Sequence, residues 1–521
     1  MLLNEIIKLT SSLSAETNKV VNVAVTDSLT IQVYPKSVTD SKFGIIFIGR
    51  QEIEKSLFIL LSESSNDSLF NQLTGEEILL TDKSLKLKKC NMIHVNAKLI
   101  SDNYEFAKAK VLGIHNSIGM GDRIGLANAG HIRALKGFSF RPILAQQSIR
   151  ELTRTQRTPE EVEDAAIWAV IQEGWKDGFG SDADHLKTTE DIDLMVKYGF
   201  KMFTFDPGEY VQNNADSIDE KELDKKIAEL KWSGINSDYK SLRERYAGKT
   251  INISKDLVFK PEDIQLKRAL VKYGNALSHI KMMNDYLTMT YPFYESEVEV
   301  SVDETDSVTT PFEHYFIAGE LIRLGVKFVS LAPRFIGDFE KGIDYKGDID
   351  LFKQEYIKHL AITKFFGSYK ISLHSGSDKF AVYKVIGSLK DAYTHVKTAG
   401  TSYLEALRVI AVREPQLFRE ILDYARGLYD TEKMSYHVSA KLENVKNGNA
   451  YPDKELSGLF DSNDARQVLH VTFGKVLTDK KADGSYLFKN RILECLKRNE
   501  DLHYEYLEKH FRRHLEPFGH T

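Results

Sequence analysis

The sequence contains almost no cysteine and no long hydrophobic run, and each of these absences excludes a class of protein. Its two cysteines, Cys90 and Cys495, lie far apart in a chain of 521 residues, which excludes a disulfide framework and a zinc site built from cysteines. No stretch approaches the ~20 apolar residues of a membrane span, and the first residues lack the basic and apolar regions of a signal peptide. We therefore expect a cytoplasmic protein with no membrane partner.

Neither sign of charge is in large excess. The formal net charge is −5 for 521 residues, which argues against nucleic acid as an obligate partner. The lysine-rich segment 83–89 alternates with Leu85 and Leu87, a pattern more typical of an edge strand than of a binding patch. The length predicts one large domain with insertions, or two to three domains.

Residues 1–112 are predicted to form a β-rich N-terminal cap. Short runs rich in Val, Ile and Phe are separated by Asp, Ser, Asn and Gly, as turns require. The runs cover residues 20–25, 29–34, 43–48, 56–61 and 93–99. They carry no cluster of reactive side chains, so a structural or oligomerising role is expected.

Residues 113–413 alternate between strand and helix patterns, which favours a parallel sheet. Eight strand-like segments predict an α/β fold in which a TIM-like (β/α)8 barrel closes on itself. The segments are 118–126, 140–145, 180–187, 202–205, 298–302, 326–331, 369–373 and 393–396. An open doubly wound sheet is the alternative, but no Gly-x-Gly-x-x-Gly turn follows an early strand.

Two regions fall outside this alternation. Residues 211–296 are predicted to be a helical insertion, which either covers the site as a lid or only braces the barrel. Residues 414–521 are predicted to be a helical C-terminal extension, interrupted by a buried strand or tight segment at 468–474.

Polar side chains follow the predicted strands, at the end where a barrel has its catalytic mouth. The densest group is Gly-Ser-Asp-Ala-Asp-His-Leu-Lys at 180–187, where a carboxylate beside an imidazole suits both proton transfer and metal binding. The alternative is a polar loop whose Asp caps the helix beginning near Thr189. Other strand ends carry Ser117, Asp122, Arg123, Gln146, Asp206, Glu304, Arg334, His374, Lys379 and His395.

Three of these residues are histidines that could meet at the mouth of the barrel. His185, His374 and His395 belong to the third, seventh and eighth predicted strands. Three imidazoles with one open position suit a divalent metal cation such as Zn, Mn, Ni or Co. His395 lies deeper in its strand, so it could equally pack behind the ligands and leave the third position to Glu304.

The strand-end motifs resemble those of the tagaturonate/fructuronate epimerases. The similar segments are 119–127, 130–133, 145–151, 182–187, 373–380 and 395–403, and the resemblance extends from about residue 113 to the C-terminus. It implies a metal-dependent epimerase that interconverts D-tagaturonate and D-fructuronate in hexuronate catabolism. The partner it implies is a small-molecule ketohexuronate, bound by a monomer or a homo-oligomer.

A weaker resemblance indicates a mechanism. Asp184-His185 is similar to the Asp-His pair of class II aldolases, and the loop beginning at His374 is similar to their His-Gly-Gly-Ser loop. The stereocentre that separates the two sugars lies one carbon beyond the position next to the ketone, so its hydrogen is not acidic. A metal-assisted retro-aldol step, followed by re-addition to the other face of the aldehyde, would invert it.

The two resemblances and this chemistry give most of the strand-end residues a predicted role. Asp184 and Glu304 are predicted to exchange protons with the substrate, in either order. The predicted substrate-binding residues are Ser117, Asp122, Arg123, Gln146, Lys187, Arg334 and Lys379. The Arg and Lys side chains among them are candidates to hold the carboxylate. Two other functions remain open: a class II-type metal-dependent sugar aldolase, and a non-catalytic sugar-binding barrel that partners an enzyme.

Overall fold

A seven-stranded antiparallel sheet forms the N-terminal part of the computed structural model, which describes residues 2–8, 18–64 and 68–519. The strand order is β1-β2-β4-β5-β7-β6, with β3 paired to β4. The strands are β1 (Val21–Thr26), β2 (Leu29–Val33), β3 (Thr39–Ser41), β4 (Gly44–Gln51), β5 (Glu54–Ser62), β6 (Gly75–Ile78) and β7 (Leu85–Cys90), and helix α1 covers Leu2–Lys8. The predicted β-rich cap is therefore present.

Alternation along β4 and β5 gives this sheet two buried faces. Ile46 and Ile48 belong to the core that the sheet shares with the rest of the protein. Ile45 and Phe47 point the other way and pack in a smaller core with Ile6 of α1. One hydrophobic core thus continues from the sheet into the following residues, and the predicted domain boundaries near residues 112 and 413 remain a proposal.

Two predictions for this region were wrong. Residues 93–99 are mostly helical, in α3 (His94–Asn103), where Asn96, Ala97 and Ile100 are buried at helical spacing. The lysine-rich strand β7 is not at the edge, because it pairs with both β5 and β6. The short strand β6 covers that edge instead.

Eight parallel strands close into a barrel, which confirms the predicted fold. Their order around the barrel is β10-β11-β14-β15-β16-β17-β8-β9, and β12 pairs only with β13. The strands are β8 (Ser117–Met120), β9 (Arg141–Ser148), β10 (Gly180–Leu186), β11 (Met202–Phe205), β12 (Ile251–Asn252), β13 (Val258–Phe259), β14 (Glu297–Val302), β15 (Ser330–Pro333), β16 (Lys370–Leu373) and β17 (Thr394–Thr398). The segment 180–187 is therefore mainly strand and not a capping loop.

Local capping signals begin many of the helices that surround the barrel. The hydroxyls of Ser148, Thr158, Thr188 and Thr310 each accept a backbone N–H three residues on, within a reciprocal capping box. The helix after β10 is thus capped by Thr188 and not by an Asp of the 180–187 segment. The helices after α3 are α4 (Asn128–Ala134), α5 (Ile149–Thr155), α6 (Pro159–Glu173), α7 (Thr189–Lys197), α8 (Glu220–Ala228), α9 (Tyr239–Tyr246), α10 (Asp263–Thr290), α11 (Pro311–Arg323), α12 (Ile349–Phe365), α13 (Phe380–Gly387), α14 (Thr401–Arg413), α15 (Pro415–Glu432), α16 (Asp453–Leu456), α17 (Asn463–Val471), α18 (Phe473–Thr478), α19 (Lys489–Arg498) and α20 (Glu500–Leu515), and α2 covers Ser68–Gln72.

The insertion between β11 and β14 braces the barrel. Its longest helix, α10, packs against α7 and α11 on the outside of the barrel. None of residues 207–296, all of which the structure describes, lines the cavity at the mouth of the barrel. Of the helices that the structure describes, none is both long enough and apolar enough to cross a lipid bilayer.

The C-terminal extension is helical, and segment 468–474, predicted to be a buried strand or a tight segment, is not a strand. This segment spans the end of α17 and the start of α18, where Val468, Leu469 and Phe473 are fully buried. An apolar run that is buried on all sides has no clear period, so its sequence alone does not separate strand from helix.

A buried group of charges fastens α20 to the loop after β16. The carboxylate of Asp378 pairs with Nε2 of His510 and with the guanidinium of Arg466. Nδ1 of His510 lies 3.1 Å from Oε1 of Glu405 in α14. Burial opposes the positive charge on His510, but Asp378 and Glu405 outweigh it and raise its pKa to about 9.

This raised pKa predicts a pH-dependent contribution to stability. Because the folded-state pKa lies above the ordinary value of 6.5, the stabilisation is complete below about pH 6.5 and is lost as the pH rises through 9. We expect His510→Gln to destabilise the protein by on the order of 2 kcal/mol at pH 6.5, and by much less above pH 9. Thermal unfolding of both proteins at the two pH values measures this, and an equal difference at both would contradict it.

Candidate active site

The barrel opens at the carboxyl ends of its strands into a cavity of about 510 Å³. Most of the cavity wall is ionisable. The charged or titratable lining residues are Arg123, Arg150, Glu151, Asp184, His185, Asp303, Glu304, Asp306, Arg334, Asp338, Lys341, His374, Lys397, Tyr436, His437 and His470. A cavity of this size and polarity suits a small, charged, hydroxylated substrate.

Strand β10 supplies two neighbouring side chains to this cavity, Asp184 and His185. In a regular strand, successive side chains point to opposite faces. His185 has a left-handed backbone, with φ of +55°, and the pairing with β11 shifts register between Ala183 and Leu186. This kink allows both the carboxylate and the imidazole to reach the cavity.

His185 and His374 each have one ring nitrogen beside a carboxylate. Nδ1 of His185 lies 3.1 Å from Oδ2 of Asp206, and Nε2 of His374 lies 2.7 Å from Oε1 of Glu299. The remaining nitrogen of His374, Nδ1, is buried and forms no aligned hydrogen bond, although Oδ1 of Asp303 is 3.1 Å away. A carboxylate that orients one ring nitrogen is typical of metal-binding histidines.

The two rings and Asp184 form a group that could hold a metal ion. One ligand atom from each of Asp184, His185 and His374 lies within 4.8 Å of the others, and the ring centroids are 4.9 Å apart. A second group, which shares His185, comprises His185, Asp206 and Glu304. Two imidazoles with a carboxylate are donors that divalent transition metals accept.

The electrostatics of this end of the cavity favour positive charge. Burial opposes protonation of both rings, but Asp184 and Asp206 raise the pKa of His185 to about 9, and Asp303 and Glu299 raise the pKa of His374 to about 10. Carboxylates that hold two adjacent imidazoles in the charged form would also stabilise a divalent cation that replaces those protons. The residues present therefore fit a metal.

A buried lysine lies beneath this group. Nζ of Lys397 is 2.8 Å from Asp182, 2.6 Å from Asp184 and 2.8 Å from Glu299, and it donates to Oγ1 of Thr204 at 2.7 Å. Burial opposes ionisation of Asp184, but Lys397 and the two imidazoles hold its pKa below the usual range. Burial raises the pKa of Asp182 to about 6 despite the same lysine.

Comparison with known proteins identifies the family of this chain. A sequence model described as tagaturonate epimerase matches residues 34–518. The tagaturonate/fructuronate epimerase of Thermotoga maritima is 39% identical over 488 residues, which are 93% of this chain and 96% of the relative. Two crystal structures of the fructuronate–tagaturonate epimerase of Cohnella laeviribosi, one native and one with glycerol, match with a TM-score of 0.87 at 37% identity, over 94% of this chain and 97% of theirs.

The chain belongs to the tagaturonate epimerase family. This membership confirms the resemblance seen in the strand-end motifs, and with it the prediction of an isomerase. The match begins at residue 34 and so also includes most of the N-terminal sheet, where the motifs showed little resemblance.

Seven of the predicted site residues line the cavity of this epimerase. They are Arg123, Gln146, Asp184, His185, Glu304, Arg334 and His374. Nε2 of Gln146 donates to Oδ2 of Asp184 at 3.0 Å. Glu304 lies at the rim, with 38% of its side chain exposed and Oε1 3.5 Å from Nη2 of Arg150. Arg123 pairs with Glu151 at 2.8 Å.

His395 and Ser117 do not reach the cavity. Both are fully buried inside the barrel of the epimerase, where Nδ1 of His395 lies 2.9 Å from Oγ of Ser117. Burial lowers the pKa of His395 to about 3. His395 precedes Lys397 by two residues on the same strand, so both point inward but only Lys397 lies at the level of the mouth.

Three further candidates lie away from the cavity. Asp122 accepts the backbone N–H groups of the turn that follows it, from Ile124, Gly125 and Ala127. Lys187 is 42% exposed and pairs with an exposed glutamate, Glu209. Lys379 is fully buried, and its ammonium donates to backbone carbonyls of Glu340, Ile343 and Ser377. These residues shape or border the site without touching its interior.

Seven charged cavity residues of this family member had no predicted role: Arg150, Glu151, Asp303, Asp306, Asp338, Lys341 and Lys397. Asp303 and Lys397 belong to the polar residues at the strand ends, although no role was assigned to them. Arg150 lies in α5 and Lys341 in the long segment after β15, so no strand-end rule would identify them.

The carboxylates around Lys397 predict a large effect of removing its charge. We expect Lys397→Met to destabilise the protein by about 3–5 kcal/mol, because Asp182, Asp184 and Glu299 would remain buried without a counter-charge. Adding Asp182→Asn should restore part of the loss. Urea unfolding measures both effects.

A matched control is Lys98→Met, which removes an exposed lysine paired with Asp102 at 2.8 Å. We expect a change within about 0.5 kcal/mol for that variant. If Lys397→Met were no more destabilising than the control, Lys397 would not neutralise the buried carboxylates.

Proposed function

We propose that the protein interconverts D-tagaturonate and D-fructuronate in hexuronate catabolism, with a divalent metal ion as cofactor. The observation that carries the proposal is the polarity of one cavity. Asp184, His185 and His374 meet in this cavity, and Arg334 and Lys341 supply positive charge to it. A ketohexuronate has a ketone near one end and a carboxylate at the other, and the relatives are named for this substrate pair.

The chemistry that we propose is retro-aldol cleavage and re-addition. Numbered from the hydroxymethyl end, the ketone is C2, the inverted centre is C4 and the carboxylate is C6. The C4 hydroxyl loses its proton, the C3–C4 bond breaks, and its electron pair enters an enediolate over C2 and C3. The C4 aldehyde then turns, and C3 attacks its other face while the oxygen regains a proton. Atoms and charge balance without a redox partner.

His185, His374 and Asp184 are the residues that would hold the metal ion. When bound, it would supply a Lewis acid for the keto oxygen. The imidazole and carboxylate donors fit Zn, Mn, Ni or Co. We assign Asp184 to ligation in preference to proton transfer, because a carboxyl whose pKa is held below its usual range is a weak base at neutral pH.

Glu304 is the residue that we propose moves the proton. It lines the cavity at the rim, and its neighbour Arg150 can orient the carboxylate. Lys397 holds Asp184 in place through a 2.6 Å contact, and Gln146 holds the other oxygen of the same carboxylate. The buried, unpaired cysteines Cys90 and Cys495 support the proposed location in a reducing cytoplasm.

Incubation with either ketohexuronate, followed by NMR of the sugar, tests the function. Formation of the other epimer from each substrate, dependent on added metal, is the expected result. Accumulation of two three-carbon fragments would identify an aldolase instead. Unchanged substrate that still binds would identify a non-catalytic sugar-binding protein.

Metal content per chain separates the ligands from the other residues. We expect His185→Ala and His374→Ala to purify without tightly bound metal and without activity, because a three-ligand site does not tolerate loss of one ligand. His395→Gln should retain its metal, since His395 contacts Ser117 inside the barrel. Metal loss from a folded His395→Gln variant would make His395 a ligand.

The roles of the two carboxylates are tested in the same way. Glu304→Gln should keep its metal while the rate falls by ~10²–10⁴, the usual contribution of a general acid or base. Asp184→Asn should lose metal as well as rate. If Asp184→Asn kept full metal occupancy with the same fall in rate, Asp184 would be a proton-transfer group.

A further inference from the structure

Two cations in the cavity have no anionic partner. Among the described residues, no carboxylate lies within ion-pair distance of Arg334 or Lys341, although both side chains line the cavity. The Lys341 ammonium donates to the hydroxyl of Ser375, at 2.6 Å. Other cavity cations are already matched: Arg123 with Glu151, and Arg150 with Glu304.

The surroundings of the Lys341 ammonium favour the binding of an anion beside it. Burial lowers its pKa and the neighbouring Arg150 lowers it further, and these effects outweigh the more distant carboxylates of the cavity, which raise it. A bound anion would reverse both effects, because it would screen the two cations and stabilise the charged ammonium. Unmatched positive charge in a polar cavity favours the binding of an anion.

Hydrogen bonds from Lys379 hold the backbone on both sides of Lys341. The buried ammonium of Lys379 donates to the carbonyls of Glu340 and Ile343, on either side of Lys341, and to Ser377 in the loop after β16. Lys379, predicted to bind the carboxylate, therefore fastens the segment that presents another lysine. The partner hydroxyl of Lys341 belongs to Ser375, which directly follows His374.

We propose that Lys341 and Arg334 anchor the substrate carboxylate and retain the carboxylate-bearing fragment while the carbon–carbon bond is open. This inference rests on the proposed function. Breaking C3–C4 divides the sugar into dihydroxyacetone, as its enediolate, and a three-carbon hydroxy aldehyde that carries the carboxylate. The aldehyde must turn without leaving. An anchor on its far end, at C6, holds the fragment and leaves C4 free to rotate.

This anchor also makes the site specific for acidic sugars. A neutral ketohexose has a hydroxymethyl group at C6 and would leave these two half-buried cations unmatched, at the cost of their partial desolvation. We therefore expect a strong preference for ketohexuronates over neutral ketohexoses, set mainly by Lys341 and Arg334.

The test uses Lys341→Met and Arg334→Met in the metal-loaded enzyme. We expect KM for the ketohexuronate to rise by about 10- to 100-fold in each, the range of a lost charge-assisted hydrogen bond. NMR of the same reactions should show fragments released at a higher ratio to epimer than in the wild type. Lys341→Arg should keep most of the affinity. Lys358→Met, which removes an exposed lysine paired with Glu355, is the matched control and should change neither quantity.

Inhibition by D-glycerate and by glycerol isolates the carboxylate contact. D-Glycerate resembles the retained fragment, and glycerol lacks only its charge. Lys341→Met should weaken inhibition by D-glycerate and leave inhibition by glycerol unchanged, which a general loss of structure would not do. Equal changes for both compounds, or an unchanged KM with no extra fragments, would overturn the proposal.

Calorimetric measurement of D-glycerate binding to the purified protein distinguishes a failure of the anchor from a failure of the proposed function. If the wild type binds D-glycerate through Lys341 but does not epimerise ketohexuronates, the anchor stands and the proposed function fails. If it epimerises them and Lys341→Met binds D-glycerate normally, the function stands and the anchor fails.

Discussion

The buried ammonium of Lys397 is the charge on which the interior of the barrel depends. It is the shared partner of carboxylates from β10 and β14, and it also contacts Thr204 of β11. Burying three carboxylates in one place would be strongly unfavourable without a cation among them. Because the partners come from strands distant in sequence, the contact also constrains how β17 is aligned with the opposite side of the barrel.

The contacts of Lys397 help to fix the positions of the side chains that could bind a metal. Asp184 is held by Lys397 on one oxygen and by Gln146 on the other, so its position is fixed before any ligand binds. His185 and His374 are likewise oriented by Asp206 and Glu299. Preorganised groups of this kind lose little entropy when they bind a metal or a substrate. Arg334 and Lys341, which line the same cavity, are by contrast short of anionic partners.

Local patterns in the sequence were sufficient to predict the barrel. Hydroxyl residues such as Thr158 and Thr310 begin helices through contacts within four residues, and apolar runs such as Met202–Phe205 are strands because both faces are buried. The segment 93–99 was misassigned because its apolar residues fit either period over so short a length. The insertion could be located, but its packing on the outside of the barrel depends on tertiary contacts.

The site was predicted less completely, because the local sequence does not show how deep in the barrel a side chain lies. His395 and Lys397 both point inward, and only the alignment of β17 with β8 shows which one reaches the mouth. Asp303 and Glu304 are adjacent, and the structure brings Asp303 to His374 while Glu304 stays at the rim. Lys341 comes from a long connecting segment, and only the folded chain shows that this segment borders the cavity.

The left-handed residue at His185 limits how this site could be moved to another protein. A regular strand offers every second side chain to one side, so Asp184 and His185 placed on such a strand would diverge. A designer who transplanted the side chains would therefore also have to transplant the backbone bend, and a β-branched residue at position 185 would resist it. Transferring this chemistry to another protein thus requires the bent strand as well as its side chains.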